Sequence, residues 1–305
     1  MTFLHKPVML KEVLKTVTCN HPVLYLDLTA GGGGHAQAFL EKYSSIKGIL
    51  LDRDNDAVTH LKKKFSDNNR VKVVKSEFSF LDKILFLLKS EKPDIVFADL
   101  GLSSYQLDRA ERGFSIMNNG PFDMRMNRDQ QTTAFDYIKN TPVAEIKRVL
   151  SQFAQEREAI KVSKVLKQCV EEGLNTTSVI AERVRSVKRY SKKGIDPATL
   201  VFMAIRMAVN DELGEIESML KKAFVALSDR GVMAIITFHS TEDRVVKNFF
   251  RDRKQGIPFY SDADKKVPFS FKKVEVDKVL VPSKEEIEVN PRARSAKLRI
   301  LRKIF

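Results

Sequence analysis

Cysteine is scarce: Cys19 and Cys169 are the only two in 305 residues, and they stand far apart. That excludes a disulfide-built scaffold, and the spacing matches no metal-binding motif. The expectation is a protein of the reducing cytoplasm, with no structural metal. No run approaches about 18 apolar residues, so no membrane-spanning helix is expected. The opening MTFLHKPVML lacks the long apolar segment of a signal peptide. Internal repeats and low-complexity tracts are lacking too. Negative charge is in deficit, with 39 Asp and Glu against 53 Lys and Arg, a net charge of +14. Such a surplus favours a polyanionic partner, nucleic acid or an anionic membrane. Without a strongly amphipathic basic helix, nucleic acid is the better reading. Apolar residues are plentiful at 43%. They suffice for one large domain or a core carrying an insertion.

The pattern along the chain begins with a lead-in helix over 7–17, where Val8, Leu10, Val13, Leu14 and Val17 recur at near-helical spacing. Strands are then expected at Val23–Leu28, Ile46–Leu51, Val71–Val74 and Pro93–Ala98, separated by helical segments. Strands alternating with helices mean βαβ units and a mainly parallel sheet. The alternation stops between Ser103 and about Met207. Glu111–Met126 is a long loop punctuated by Gly113, Gly120 and Pro121, with glycines that suggest closure on a substrate. Helices follow. One is opened by Thr141 as N-cap with Pro142 at the first helical position. A second runs from Glu156 to Glu172 with Ile160, Leu166, Cys169 and Val170 inward. A third spans Ser178–Val187, and a buried fourth spans Ala198–Val209. The α/β pattern resumes with a helix over 211–227, a strand over 232–238, a helix from His239 through Phe250 and a last strand over 296–302. Residues 251–291 are basic and poorly periodic, with a candidate strand at 274–281. The chain therefore divides into a core at 1–104 and 208–305 and a helical insertion at 105–207.

The stretch with the most chemistry is Asp27-Leu-Thr-Ala-Gly-Gly-Gly-Gly-His35, a strand end and glycine turn leading into a helix. Gly31, Gly33 and Ala36 satisfy G-x-G-x-x-A, a weak pattern that a dinucleotide dehydrogenase would share. Two acids argue for another ligand. Asp27 precedes the glycines, where a pyrophosphate would gain nothing from negative charge. Asp52 ends the next strand, where an acid can accept both ribose hydroxyls. NAD and S-adenosylmethionine both carry such a ribose, but only the second adds an ammonium and a sulfonium. Asp99 ends the fourth strand, so three strand ends carry acids where ligands of open α/β sheets bind. Phe78 is a candidate to stack beside adenine, and His35 to bound the glycine turn.

These stretches resemble the bacterial small-subunit ribosomal RNA cytosine-N4 methyltransferase family, RsmH or MraW. The likeness also rests on His5-Lys-Pro-Val8, Leu51-Asp-Arg-Asp54, Asp99-Leu-Gly-Leu-Ser-Ser-Tyr-Gln-Leu-Asp108 and Glu111-Arg-Gly-Phe-Ser115. Gly120-Pro-Phe-Asp-Met-Arg-Met126, Phe238-His-Ser-Thr-Glu-Asp-Arg244 and Asn290-Pro-Arg-Ala-Arg-Ser295 complete it. Tyr105 stands where the family usually has proline and Thr241 where it has leucine. The resemblance implies a Rossmann-like class I methyltransferase core with a helical insertion that recognises the substrate. It implies S-adenosylmethionine as cofactor, held by Gly33, Gly34, His35, Asp52, Phe78, Asp99 and Gln106, to which the reading of the glycine turn adds Asp27. The implied reaction is N4-methylation of a cytidine in the decoding region of 16S rRNA. Because a rigid subunit already folds that region, the assembled small subunit is the expected substrate. A homodimer is left open.

Methyl transfer needs the cytosine amine in line with the sulfonium methyl, and an acceptor for its N–H. Asp99 or a backbone carbonyl in 99–103 is the first candidate, although Asp99 could instead bind the cofactor's amino group. Ser103, Ser104 and His239 could hold the base edge, and His239 could equally cap a helix. The target base must be exposed or flipped to reach the pocket. For RNA contact, Arg183–Lys193 with Tyr190, the tail Arg292–Lys303, and Arg109, Arg112, Arg125 and Arg128 could track phosphates. The competing readings are a dehydrogenase and a non-catalytic RNA-binding protein on a methyltransferase scaffold.

Overall fold

The computed structural model describes residues 6–89, 91–189, 194–259 and 274–304. His5 of the opening motif, Tyr190 to Lys193 of the basic stretch, and 260–273 of the segment expected to be irregular lie outside the described residues. The chain forms two compact units, one of Met1–Gly101 with Leu213–Phe305 and one of Leu102–Glu212.

The first unit opens with helix α1 (Leu10–Thr16). Strand β1 (Leu24–Asp27), helix α2 (Gly34–Lys42) and strand β2 (Lys47–Asp52) follow. Next are α3 (Asn55–Lys64), β3 (Val71–Lys75), α4 (Leu81–Leu87) and β4 (Ile95–Asp99). Asp54 caps α3 by accepting a hydrogen bond from the Asp56 amide. β1 is buried along its whole length, as a strand covered on both faces must be.

The second unit is helical: α5 (Ser104–Asp108), α6 (Ala134–Asn140), α7 (Val143–Ala154), α8 (Ala159–Glu171), α9 (Thr177–Val187) and α10 (Pro197–Val209). Its own apolar core includes Phe122, Ile146, Leu150, Leu166, Val184 and Phe202. Two readings of the sequence change here. Pro142 is itself the N-cap of α7, and Thr141 closes α6, a helix the apolar pattern did not announce. Its signal was the capping box that Thr133 and Asp136 form across its first turn. Ile160 is 44% exposed, because the buried stripe of α8 runs through Ala159, Val162, Ser163 and Leu166, one residue out of step with it. The glycines of the 111–126 loop stand where backbone comes close. A Cβ on Gly120 would lie 1.7 Å from the Ala110 carbonyl oxygen, and one on Gly113 2.1 Å from that of Pro121. The loop is pinned by buried Arg112, which donates to the carbonyls of Arg125 and Met126. Asn210 bonds Met126 N and Met124 O. That tie draws residues 208–212 into the helical unit.

The chain returns to the first unit with α11 (Glu212–Ala226), whose first residue belongs to the helical unit. Then come β5 (Val232–Thr237), α12 (Ser240–Lys254), β6 (Val274–Val276), α13 (Lys284–Val289) and β7 (Lys297–Lys303). Among the described residues, seven strands form one sheet in the order β3-β2-β1-β4-β5-β7-β6. β1 to β5 run parallel, while β7 pairs antiparallel with both β5 and β6. This is the Rossmann-like, mainly parallel sheet expected from the sequence. Apolar layers cover both faces, one built on Phe39, Leu50, Phe97 and Ile236, the other on Leu26, Val96, Leu220 and Phe250. β1 has β2 on one side and β4 on the other, so the winding reverses between β1 and β4. At such a switch point the loops diverge and leave a crevice outside the carboxyl ends.

Candidate active site

Asp27 and Asp99 end the two strands that flank the switch point, and Asp52 ends the next strand out. Asp27 is 1% exposed. Its Oδ2 accepts from the Tyr25 hydroxyl at 2.7 Å and its Oδ1 from the Thr29 amide at 3.1 Å. Burial pushes its pKa up to about 7. Asp52 accepts from Gly31 N at 2.8 Å and Asp54 N at 2.9 Å, and burial lifts its pKa to about 6. Asp52 therefore shapes the glycine turn directly, and each oxygen keeps a lone pair for a further donor.

Asp99 is different. Its backbone amide donates to Thr29 Oγ1 at 2.6 Å, but its side-chain Oδ1 is buried without a hydrogen-bond partner among the described residues. Burial, then the nearby charges of Asp27 and Glu242, hold its carboxyl well above the usual range. A buried unpaired carboxylate is costly, so the group either keeps its proton or awaits a donor or cation. Acids at three strand ends, with no cation of the described residues against Asp27 or Asp99, suit a ligand that carries positive charge. The residues thus fit the cationic methionine end of S-adenosylmethionine, and they would repel a pyrophosphate.

The remaining expected site residues fall as follows. Gly33 has φ +72° and is the N-cap of α2, and a Cβ there would press Leu61 and Phe65 at 2.9 Å. A Cβ on Gly34 would lie 2.4 Å from Pro7 Cγ. Packing alone thus accounts for glycine at both positions. Lys64 Nζ donates to the carbonyls of Gly32 and Gly33 and braces the turn from outside. The His35 imidazole is buried, with Nε2 donating to Val8 O at 3.0 Å and its ring 4.5 Å from that of Phe97. It ties α2 to the N-terminal segment. Phe78 is half-buried at the exit of β3, beside the same apolar layer as Val74 and Ile84. His239 is the N-cap of α12, its Nδ1 accepting from Glu242 N and its Nε2 2.8 Å from Glu242 Oε1.

Ser103 and Gln106 lie in the helical unit. Ser103 Oγ accepts from Gln106 N, and Gln106 Oε1 accepts from Ser103 N, a reciprocal cap on α5. Ser104 Oγ is buried there without a hydrogen-bond partner among the described residues. Three residues with a part in the acid cluster were missed from sequence: Tyr25, Thr29 and Glu242. Thr29 was discoverable, since it sits two residues past Asp27, where an Asx turn places an amide on the carboxylate.

The cations expected to track phosphates are mostly engaged within the protein. Arg183 meets Glu172, Arg185 meets Asp196, Lys188 meets Glu156 and Arg125 meets Asp123. In the tail, Lys297 and Arg299 share Asp243, and Arg302 meets Asp277. Sequence reasoning counted these charges and could not see their partners.

Comparison with known proteins bears on the same features. The model of the MraW methylase family matches residues 2–304. Ribosomal RNA small subunit methyltransferase H of Caldicellulosiruptor saccharolyticus is 39% identical over 98% of this chain and 99% of its own. The protein of that name from Carboxydothermus hydrogenoformans is 38% identical over 100% of this chain and 99% of its own. With the switch-point acids and the strand order, these matches show that the chain belongs to the MraW methylase family of S-adenosylmethionine-dependent methyltransferases.

Proposed function

We propose that the protein transfers a methyl group from S-adenosylmethionine to the exocyclic N4 amine of a cytidine in the decoding region of 16S rRNA, acting on the assembled small subunit. The observation that carries the chemistry is the unpartnered Oδ1 of Asp99 at the switch point. The names of the relatives, ribosomal RNA small subunit methyltransferase H, support the substrate.

The cofactor supplies a methyl group made electrophilic by a sulfonium. Asp27 and Asp99 provide the negative field that favours that charge, and Asp52 offers lone pairs to ribose hydroxyls. Phe78 offers a flat apolar face to adenine. Gly33, Gly34 and the His35 backbone set the start of α2 against the turn. The cytosine amine is a weak nucleophile because its lone pair is delocalised into the ring. Asp99 accepts its N–H, which localises the lone pair on nitrogen, and then takes the proton released on attack. A cation bound beside Asp99 favours its ionised form, which is the form that can accept a proton. Ser103, Gln106 and the helical unit contribute to recognition of the base and its surroundings.

The test is nucleoside mass spectrometry of small subunits isolated from a strain lacking the gene, after incubation with enzyme and cofactor. One N4-methylcytidine per subunit is expected, with naked rRNA a poor substrate. Methylation of another base, or none, overturns the reading.

A further inference from the structure

A cavity of about 290 Å³ opens beside the acid cluster, one strand further along the sheet. It lies where β5 ends. Ile236 pairs with Asp99 in the parallel register, and the cavity wall begins at the next residue, Thr237. Phe238, His239, Ser240, Arg294, Ser295 and Lys297 line it. Its size is close to the lower end of small-molecule sites, about 300 Å³, enough for a unit the size of one nucleotide.

The lining has a division of labour. Phe238 and His239 are partly exposed aromatic rings on one wall. Aromatic faces take unpaired bases by stacking, whatever the base. Ser240 and Ser295 add exposed hydroxyls. Lys297 is shared with Asp243, so its charge is partly answered. Arg294 is exposed and, among the described residues, has no carboxylate or carbonyl partner, unlike Lys297, Arg299, Arg302 and Lys303 of the same tail. A guanidinium left free at the mouth of a cavity with stacking faces matches a phosphate joined to an unpaired base.

We infer that this cavity holds one unpaired nucleotide of the substrate RNA next to the target cytidine, its phosphate on Arg294 and its base on Phe238 and His239. The inference rests on the rRNA reading above. It makes Arg294 a positioning residue that acts through substrate placement.

The experiment measures steady-state methyl transfer to unmodified small subunits with wild type, Arg294→Glu, Arg294→Ala and Arg294→Lys. Expected is a rise of about tenfold or more in the KM for RNA with Arg294→Glu, as for loss of a phosphate contact. The KM for the cofactor and kcat should stay within about twofold, and Arg294→Lys should recover most of the affinity. With Arg294→Ala the slope of log(kcat/KM) against log salt should become shallower by about 0.7 to 0.9, the share of one phosphate. A wild-type KM and salt slope in Arg294→Glu overturns the inference while leaving the rRNA reading intact. A wild-type enzyme that methylates no RNA overturns the rRNA reading and the inference with it, so the wild-type arm tells the two failures apart.

Discussion

Replacing Asp27 by Asn in the ligand-free protein should make it more stable at pH 8. Asp27 is buried, with its carboxyl raised from 3.8 to about 7 and burial as the main cause. At about 1.4 kcal/mol for each pH unit, ionising it in the fold costs about 4 kcal/mol. The sign follows from proton counts. Between about pH 4 and 7 the native state holds a proton that the unfolded chain has lost, so stability falls as pH rises through that window. Above pH 7 the loss is complete. Asn cannot ionise, and it keeps an acceptor for the Thr29 amide and a donor for the Tyr25 oxygen. Weaker hydrogen bonds cost back about 1–2 kcal/mol. The net expectation is a gain of about 2 kcal/mol at pH 8 and near equality at pH 5. Urea unfolding followed by circular dichroism between pH 5 and 8 reads this directly. The variant's profile should be flatter than wild type by about 1.4 kcal/mol per pH unit from pH 5 to 7. An Asp27→Asn variant less stable than wild type at pH 8, with a parallel profile, would refute the claim that this carboxylate is held at a cost.

Two further outcomes concern packing. Gly34→Ala places a Cβ 2.4 Å from Pro7 Cγ, so the N-terminal segment must shift. A loss of about 1–3 kcal/mol is expected, read as a lower urea midpoint at unchanged slope. In the helical unit, Asn210→Ala strands the Met126 amide and the Met124 carbonyl, each bonded to it at 2.8 Å. That should cost about 2–4 kcal/mol, measured by thermal unfolding, with earlier proteolysis in 111–126.

The α/β core was legible because its strands are short apolar runs closed by acids, and buried parallel strands need little else to announce themselves. The acids were legible too, since Asp27, Asp52 and Asp99 each end a strand. What the sequence did not carry was the partner of each polar group. Nothing in the order of residues says that Asp52 accepts the Gly31 amide, or that Asp99 keeps an oxygen without a donor. The glycines show the same limit from the other side. Gly34 reads from sequence as part of a ligand loop, and nothing in the order of residues says that Pro7, 27 positions earlier, packs against it. Short helices were missed where caps, and not apolar periodicity, define them, as with Ala134–Asn140. Charge was the least legible property, because a cation's availability depends on whether the fold brings a carboxylate to it. Arg294 and Arg299 look alike in sequence, and only Arg299 meets Asp243.

The role given to Asp99 is tested most directly by a single-turnover measurement on Asp99→Asn, following labelled methyl from S-adenosylmethionine into N4-methylcytidine of the small subunit. Asn at this position removes the proton acceptor while keeping size and shape. Expected is a fall of about a hundredfold or more in the transfer step, the range of a lost general base, with the melting temperature held or raised. A transfer rate within about threefold of wild type would contradict that role.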